Sequence, residues 1–297
     1  MKILVSGLLN IETTSAVRGF PINYYPIDYP FFGVNSSPSG VAYNIVAALT
    51  SLGDDVKLAS MLGDDFCAEY IKNSLVKSGI NTDFIKTKLS TTPASVVLYD
   101  PTGKRQIYCD LKDIQEIEYD FDEEILRDID IVCACNINFN RPLLHLAKQR
   151  GITIATDVHA MADLYDEYNR EFMELADVLF ISDEHIGENY SDFIYSIANI
   201  YHNEIIVLGR GGNGVAIYTE ESGKITELAA YNKVEVVNTV GAGDALFSAF
   251  LHYYSKGLSP VDAIWRAEIF AALKIRENGA SKGFVTEDEV EKKINEL

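Results

Sequence analysis

The sequence has few cysteines, few basic residues and no long hydrophobic run. Its 297 residues include only four cysteines, Cys67, Cys109, Cys133 and Cys135. Their spacing matches neither a zinc-binding motif nor a redox motif. Cys133 and Cys135 alternate within an apolar segment, which indicates small core residues of a strand. The cysteines therefore give no indication of a metal or redox centre.

Positive charge is also scarce. Lys and Arg total 25 against 44 Asp and Glu, so the formal net charge is −19. Nucleic acids and anionic membrane surfaces attract clustered positive charge, so we expect the chain to bind neither. ATP is not excluded, because backbone amides, a few local cations and magnesium are enough to bind its phosphates.

No apolar run approaches the roughly 20 residues that a helix needs to cross a bilayer. Residues 1–7 have the pattern of a short strand with one charged residue, and nothing resembles a signal peptide. We therefore expect a cytoplasmic protein without a membrane partner.

Length and composition suit a globular protein with a sizeable core. Hydrophobic residues make up 47% and charged residues 23%. The length fits one large α/β domain with an insertion, or two modest domains. Between residues 56 and 184, strand-like segments alternate with helical periodicity. This alternation predicts a parallel sheet covered by helices on both faces, with ligands bound at the carboxyl ends of its strands.

The spacing of apolar residues predicts the bounds of three helices. Apolar spacing predicts one over residues 39–53, with Ser39 as its N-cap and Gly53 as its C-terminal stop. The others are predicted over residues 166–176 and 261–277.

Two segments interrupt the α/β pattern. Residues 13–38 hold four prolines and six aromatic residues without helical periodicity. Residues 94–110 alternate in polarity around the turn D-P-T-G-K, which indicates a hairpin. Both segments are predicted to form short strands and turns that pack on the main domain. An ordinary β-flap with no ligand role would have the same pattern.

The strongest functional signal is the stretch V-N-T-V-G-A-G-D-A-L-F-S-A-F at residues 237–250. A helix that starts in the interior leaves its first N–H groups unpaired and attracts an anion. Gly241 and Gly243 would let a phosphate approach the amides of Gly241, Ala242 and Gly243 closely. A phosphate repels Asp244, so this acid is predicted to accept the proton of an attacking hydroxyl. Considered alone, Asp244 could simply stabilise the helix N-terminus.

The sequence N-T-V-G-A-G-D, followed by an apolar helix, resembles the signature D-T-x-G-A-G-D of the PfkB carbohydrate kinases, the ribokinase-like family. The resemblance implies that Gly241, Ala242 and Gly243 form an anion hole for the transferred phosphoryl group, with Asp244 as the catalytic base. Asn238 replaces the family's first aspartate, which helps to arrange a monovalent-cation site. Activation by potassium is therefore doubtful.

The resemblance also implies a fold. We expect a three-layer α/β/α domain over residues 1–297, with a mostly parallel sheet. Insertions at about residues 12–38 and 92–110 would form a small β-sheet lid over the sugar. This lid is a common dimer surface in the family, so a homodimer is expected.

Substrate-binding residues are expected near the N-terminus. Gly40 and Asn44 match the family's G-G-x-x-x-N element, in which Ser39 replaces the first glycine. Asn10 and Glu12 stand where the family places an Asn and an acid that bind sugar hydroxyls. Glu12 is one methylene longer than the usual aspartate, which affects the expected size of the sugar pocket.

The magnesium and phosphate region is expected after a central strand. Many family members carry N-x-x-E there, and the acid orients magnesium through water. This chain has Ser182, Asp183, Glu184 and His185 instead, in a different register. Ser182 and Glu184 are the candidate ATP contacts. Glu184 is the candidate magnesium ligand through water, and Asp183 could serve in its place.

Two further loops are expected to contact ATP. Gly209, Gly212 and Gly214 lie between two predicted strands, whereas a Rossmann glycine fingerprint opens a helix. A dinucleotide-dependent oxidoreductase is therefore disfavoured, and the resemblance implies that these glycines lie near the phosphates and base. Asn278 and Gly279 follow the last long helix and are expected beside the adenine.

The sequence thus predicts an ATP- and Mg²⁺-dependent phosphotransferase that acts on a hydroxyl of a small sugar such as ribose or fructose. A nucleoside or pseudouridine kinase of the same family is an alternative, since the aromatic lid could stack a base. The altered residues 182–185 and Asn238 would also suit a sensor that binds sugar or nucleotide without turnover. Asp244 between intact glycines favours the kinase, because a binding protein needs no base.

Overall fold

The computed structural model describes residues 2–161, 163–277 and 279–297. The strands are β1 (Lys2–Ser6), β2 (Asn10–Ala16), β3 (Val34–Ser39), β4 (Asp55–Leu62), β5 (Ile85–Thr87), β6 (Ala94–Tyr99), β7 (Arg105–Asp110), β8 (Ile131–Ala134), β9 (Thr153–Ala160), β10 (Val178–Ser182), β11 (Ile205–Gly209), β12 (Val215–Thr219) and β13 (Lys224–Leu228). The helices are α1 (Val41–Ser51), α2 (Phe66–Lys77), α3 (Arg141–Gln149), α4 (Arg170–Leu175), α5 (Tyr190–Tyr201), α6 (Ala242–Ser255), α7 (Pro260–Lys274) and α8 (Glu287–Asn295). Short 3-10 turns occur at Asn138–Asn140, Gly187–Asn189 and Gly211–Asn213.

The larger sheet has nine strands within the described ranges, in the order β13-β12-β11-β10-β9-β8-β1-β4-β5. Every pair from β5 to β11 is parallel, and β12 and β13 add two antiparallel strands at one edge. The mostly parallel sheet predicted from the strand–helix alternation is confirmed.

Two layers of helices cover this sheet, because successive strand residues face opposite sides. On β1, Ile3 and Val5 belong to the core with α1, α2, α6, α7 and α8. Leu4 belongs to the opposite core with α3, α4 and α5. Cys133 is fully buried and Cys135 nearly so, as predicted for small core residues. The three-layer α/β/α architecture is therefore present. No helix among the described residues is long and apolar enough to cross a membrane.

The smaller sheet consists of β3, β2, β6 and β7 in that order. β2 pairs antiparallel with β3 and parallel with β6, and β6 forms the predicted hairpin with β7. Residues 17–33 connect β2 to β3 without a strand or helix. The prediction of short strands and turns in the two interrupting segments is confirmed.

The start of α1 differs from the prediction. Ser39 is the last residue of β3, and Gly40 takes the N-cap position without a side-chain cap. Gly40 has φ of 104°, and a Cβ built on it would lie 2.5 Å from the Leu8 carbonyl oxygen. Only glycine fits this approach of two backbone segments. Gly53, with φ of 91°, follows the C-terminal end of α1 and stops the helix as expected.

Two other helices are shorter than predicted. α4 begins at Arg170 rather than 166, because Asp166 caps a turn by accepting the Asn169 N–H at 2.7 Å. α7 ends at Lys274 rather than 277, and the Ile275 carbonyl accepts N–H groups from another loop. The first contact is a local side-chain bond that apolar periodicity does not report, and the second comes from a loop distant in sequence.

Glu268 on α7 is a buried acid, only 8% exposed. Burial raises its pKa to about 7, partly opposed by a hydrogen bond from the Tyr231 backbone. Since the pKa in the folded state lies above the unfolded value, the folded chain holds this proton more tightly. The free energy of unfolding therefore decreases as the pH rises from about 4.5 to about 7.

We expect Glu268→Gln to remove that loss, since glutamine keeps the shape of the side chain and has no charge to bury. Between pH 4.5 and 8, the free energy of unfolding of the wild type should fall by about 3 kcal/mol relative to the variant. Urea titrations at successive pH values measure the difference. Glu220→Gln, at an exposed turn, is the control and should follow the wild type. Parallel curves for all three proteins would contradict the assignment.

Candidate active site

The candidate site lies where the loop before α6 packs on the loop after α7. The N–H groups of Val237 and Asn238 donate to the Ile275 carbonyl at 2.9 and 3.1 Å. Gly241 has φ of 77°, and a Cβ on it would lie 2.5 Å from the Ala280 carbonyl oxygen. Both the backbone conformation and this contact require glycine. The start of α6 is therefore fixed by the end of α7.

The first turn of α6 presents unpaired N–H groups. Gly241, Gly243 and Asp244 have backbone N–H groups without an acceptor in the part of the chain that the structure describes. Gly243 is exposed, and nothing lies within 4 Å of a Cβ placed on it. The Ala242 N–H, which was expected to bind the anion, instead donates to the Thr239 carbonyl at 3.1 Å. The backbone amides available to an anion are thus those of Gly241, Gly243 and Asp244.

Asp244 lies in this turn and is joined to α1. The Asn44 Nδ2 donates to its Oδ2 at 2.7 Å. Burial raises the pKa of Asp244, opposed first by this hydrogen bond and then by the positive charge of His159. A carboxylate with raised proton affinity, held in one orientation beside free amides, is suited to accept a proton.

Two buried asparagines of the candidate site, Asn10 on β2 and Asn44 on α1, have unpaired acceptors. Asn10 donates through Nδ2 to the Ser95 Oγ at 3.2 Å. The Oδ1 atoms of Asn10 and Asn44 are buried and have no hydrogen-bond partner among the described residues. Such oxygens are costly to bury unless a ligand donates to them. Ligand hydroxyls provide such donors.

Glu12 on β2 completes this group. Burial is the main cause that raises its pKa, and the negative charge of Asp244 adds to the effect. Among the four residues predicted for the sugar, Asn10 pairs with Ser39 next to Gly40, Asn44 bonds to Asp244, and Glu12 lies near enough for the charge of Asp244 to act on it. The predicted proximity is observed; their role toward a ligand stays a prediction.

His159, at the end of β9, faces the same cleft. Its φ is 59°, which is unusual outside glycine, and its N–H donates to the Asp157 Oδ1 at 2.8 Å. The Nδ1 of its ring lies 3.5 Å from the Asp157 Oδ2. The charge of Asp157 is the main cause that raises the pKa of His159 to about 9, and Asp244 contributes. The imidazole is therefore positively charged at neutral pH.

Lys274 is fully buried at the end of α7. Its Nζ donates to the carbonyl oxygen of Val240 and, at 2.9 Å, to that of Gly279. Burial lowers the pKa of Lys274 to about 8, although the charges of Asp244 and Glu12 oppose the shift. A cation thus lies directly behind the loop that carries the free amides.

The loops predicted for ATP are adjacent. Ser182 ends β10, and the Asp183 N–H donates to the Gly209 carbonyl at 3.1 Å. Glu184 is exposed, and its carboxylate lies 3.9 Å from the Arg105 guanidinium of β7. Within the described residues, no group of three His, Cys, Asp or Glu side chains is placed to hold a metal ion. A metal would therefore have to take most of its ligands from a bound phosphate and water.

The glycine-rich segment is a turn between β11 and β12, as predicted, and not the start of a helix. Gly212 is exposed, with open space where a Cβ would stand. Gly214 is different: it is buried with φ of 86°, and a Cβ on it would lie 2.0 Å from the Leu228 carbonyl oxygen. Packing against the backbone at the end of β13 thus accounts for Gly214 without a nucleotide.

Arg210 in this turn is held by other side chains. Its guanidinium lies 3.1 Å from the Glu227 carboxylate and stacks 4.2 Å above the Tyr190 ring. Asn278, predicted beside the adenine, lies outside the described residues. Gly279 is described, with φ of 110° and its carbonyl bonded to Lys274.

Comparison with known proteins decides the family. The model of the pfkB family carbohydrate kinases matches residues 1–287. The chain belongs to this family. The predicted family membership is thereby confirmed, and so is the ATP-dependent carbohydrate kinase activity that it implies.

Three relatives illustrate how far the similarity of this pfkB protein extends. The ribokinase of Dictyostelium discoideum is 24% identical over 284 residues, which cover 86% of this chain and 88% of that protein. Arabidopsis thaliana ribokinase, solved with ribose and ATP, has a TM-score of 0.81 at 20% identity and covers 98% and 97% of the two chains. An Escherichia coli protein described as a candidate ribokinase II, solved with ATP and Mg²⁺, has a TM-score of 0.81 at 20% identity and covers 100% and 99%. The two solved structures confirm the ribokinase-like fold.

Two charged residues of this site, Lys274 and His159, have no functional signal in the sequence motifs. Lys274 has the position of an ordinary basic residue in the last turn of a helix. His159 follows a predicted strand end two residues after Asp157, which was the only available signal. Both become notable only because residues distant in sequence surround them.

Alanine substitutions can distinguish the structural roles of Gly212 and Gly214. Gly214→Ala forces a Cβ into the Leu228 carbonyl at a positive φ, so we expect a loss of roughly 2 kcal/mol or more of stability. Gly212→Ala meets open space and should leave the melting temperature within about 1 °C of the wild type. Thermal unfolding without ligand measures both, and equal melting temperatures would contradict the packing argument. Weaker ATP binding by a fully stable Gly212→Ala would place that glycine at the nucleotide.

Proposed function

We propose that this pfkB kinase phosphorylates a hydroxyl of a small ribose- or fructose-like sugar, with Asp244 as the catalytic base. The observation that carries the proposal is the Asn44–Asp244 hydrogen bond beside the unpaired amides of α6. This bond supports a site in which the base and the anion-binding amides belong to the same turn of α6.

The substrate hydroxyls would donate to the unpaired Oδ1 atoms of Asn10 and Asn44, with Glu12 beside them. Asp244 would accept the proton of the attacking hydroxyl as its oxygen forms a bond to the γ-phosphorus of ATP. The bond from that phosphorus to the β,γ-bridging oxygen breaks, and ADP leaves. The amides of Gly241 and Gly243 would stabilise the negative charge on the transferred group, because these donors are already oriented.

ATP would lie along the loops after β10 and β11, with its base toward the loop at residue 279. Ser182, Gly209, Gly212 and Gly279 are the described candidates for its contacts. When bound, Mg²⁺ would neutralise phosphate charge, and Glu184 would hold it through water. A solved structure of the same fold in complex with ATP and Mg²⁺ supports the use of both by this kinase. The exposed Glu184 carboxylate fits a water-mediated contact better than a direct ligand set.

We prefer a sugar over a nucleoside because aromatic side chains of the lid loop are exposed to solvent. Tyr24, Phe31 and Phe32 of the loop between β2 and β3 are between 83% and 101% exposed. Stacking a base would require these rings to enclose it. We therefore place the nucleoside kinase second and the sensor without turnover third.

The first experiment measures ADP release from MgATP with ribose, fructose, other ketoses, 2-keto-3-deoxygluconate and nucleosides. We expect turnover with a sugar, and Asp244→Asn should reduce it by about 100-fold or more with little change in melting temperature, because a general base contributes that much. Asp192→Asn, an exposed acid in the first turn of α5, is the matched control and should retain full activity.

Full turnover by Asp244→Asn would refute the base assignment. A nucleoside as the only acceptor would establish the second candidate. No turnover across the panel, with a ligand that still raises the melting temperature, would establish the sensor.

We also propose that residues 1–297 act as one kinase domain whose small sheet, within residues 12–38 and 92–110, is a lid and a homodimer surface. The exposed aromatics of the β2–β3 loop are continuous in sequence with the sheet, and Val96 and Tyr108 are paired and partly exposed on it. Exposed apolar side chains concentrated on one small sheet and its loop are typical of an interface, and a second copy would bury them. The cytoplasm, where ATP is abundant, is the proposed location.

The double variant Tyr24→Ser and Phe31→Ser should weaken that dimer, because it removes apolar area from the proposed contact. Sedimentation velocity is expected to show a dimer for the wild type and a dissociation constant at least about tenfold higher for the variant. Tyr165→Ser, 63% exposed and far from the lid in sequence, is the control. A monomeric wild type at all concentrations, or a variant with unchanged dissociation constant, would contradict the proposal.

A further inference from the structure

Lys274 carries a charge that is hard to explain by stability alone. A lysine is rarely buried completely, and a buried ammonium costs free energy unless acceptors and opposite charges surround it. Here the acceptors are two backbone carbonyls, of Val240 and Gly279, rather than a carboxylate. The nearby negative charges are those of Asp244 and Glu12, both in the candidate site.

The two carbonyls belong to the two loops that form the site. Val240 immediately precedes Gly241, whose N–H is one of the free amides. Gly279 immediately precedes Ala280, on which Gly241 packs at a distance that only glycine tolerates. The Lys274 ammonium therefore joins both loops directly behind the anion-binding turn.

Loop carbonyl oxygens are also the ligands that proteins use for potassium, since they replace its hydration shell. A potassium ion does not fit this donor set. The Val240 and Gly279 carbonyls already accept from the ammonium. Residue 238 offers an amide instead of a carboxylate, and its Oδ1 accepts the Val240 N–H at 2.8 Å.

We propose that the Lys274 ammonium takes the place of a monovalent cation behind the Gly241 and Gly243 amides, so that the kinase needs no potassium. Lys274 is then a positioning residue: it touches neither substrate nor ATP and keeps the two loops, and hence the amides, in place. The positioning part rests on the function proposed above. The cation part does not, because it concerns the folded chain without substrate.

The decisive variant is Lys274→Ala, which leaves the two carbonyls facing an empty volume large enough for a small cation. Melting temperatures are measured in tetramethylammonium, potassium and ammonium chloride at equal ionic strength. The wild type should melt at the same temperature in all three salts. In tetramethylammonium chloride, Lys274→Ala should melt at least about 5 °C below the wild type. In potassium or ammonium chloride, its melting temperature should rise with the concentration of the cation and recover part of this loss.

Leu273→Ala, one residue away and buried, is the control for a purely structural effect. It should lose stability through its cavity and show no response to the choice of cation. If Lys274→Ala does not fold, Lys274→Met replaces it, since methionine retains an apolar stem without the charge. That variant should melt below the wild type in every salt and show no recovery in potassium.

Kinetics with the sugar identified above test the positioning. The turnover number of the wild type should be unchanged by potassium. That of Lys274→Ala should fall about tenfold or more and rise again with potassium, with a smaller change in KM for the sugar. If no sugar is turned over, the melting experiments still decide the cation part.

Three results would overturn the proposal. The first is potassium-specific stabilisation or activation of the wild type. The second is a Lys274→Ala variant that is destabilised but indifferent to the cation, and the third is a Lys274→Met variant as stable as the wild type.

Lys224→Ala, at an exposed strand end, controls for loss of a lysine and should match the wild type throughout.

Discussion

The contact between the loop before α6 and the loop after α7 is the constraint on which the site depends. Gly241 lies against the backbone of Ala280, and Lys274 is bonded to carbonyls on both sides of the contact. The first turn of α6 therefore starts in one position, with its free N–H groups facing the cleft. A side chain at Gly241 would separate the loops, and the anion-binding turn would lose its support from α7.

The base and the substrate side are built onto this support by one long-range hydrogen bond. Asn44 links α1 to Asp244 on α6, and its other amide atom remains an unpaired acceptor. Gly40 places Asn44 by allowing α1 to begin against the Leu8 carbonyl. In the proposed mechanism, this one amide would orient the base and contact the substrate hydroxyl, which would couple recognition to proton transfer.

The protein is strongly acidic, yet its site must attract a nucleotide. Local charges resolve this apparent conflict. The amides of α6, the imidazolium of His159 and the ammonium of Lys274 place local positive charge beside the carboxyl groups of the site. The ammonium of Lys274 is fully buried and therefore acts strongly at short range, while the net charge of −19 is spread over the whole chain and is screened by salt. The arrangement explains how such a chain can be a kinase without a basic surface.

The sequence alone determined the alternation that builds the three layers, the strand–turn–strand nature of the glycine-rich segment, and the family, because each follows from local periodicity or from a continuous motif. Only the tertiary structure decided that Gly40 rather than Ser39 begins α1, that the Ala242 amide is used within its own turn, and that Gly214 serves packing. It also decided that Lys274 lies in the site and not on the surface. Gly40, Gly214 and Lys274 share one physical reason: each depends on a backbone atom that approaches from another segment of the fold, and a local pattern holds no record of that atom. The Ala242 amide differs, because its acceptor, the Thr239 carbonyl, lies in its own turn.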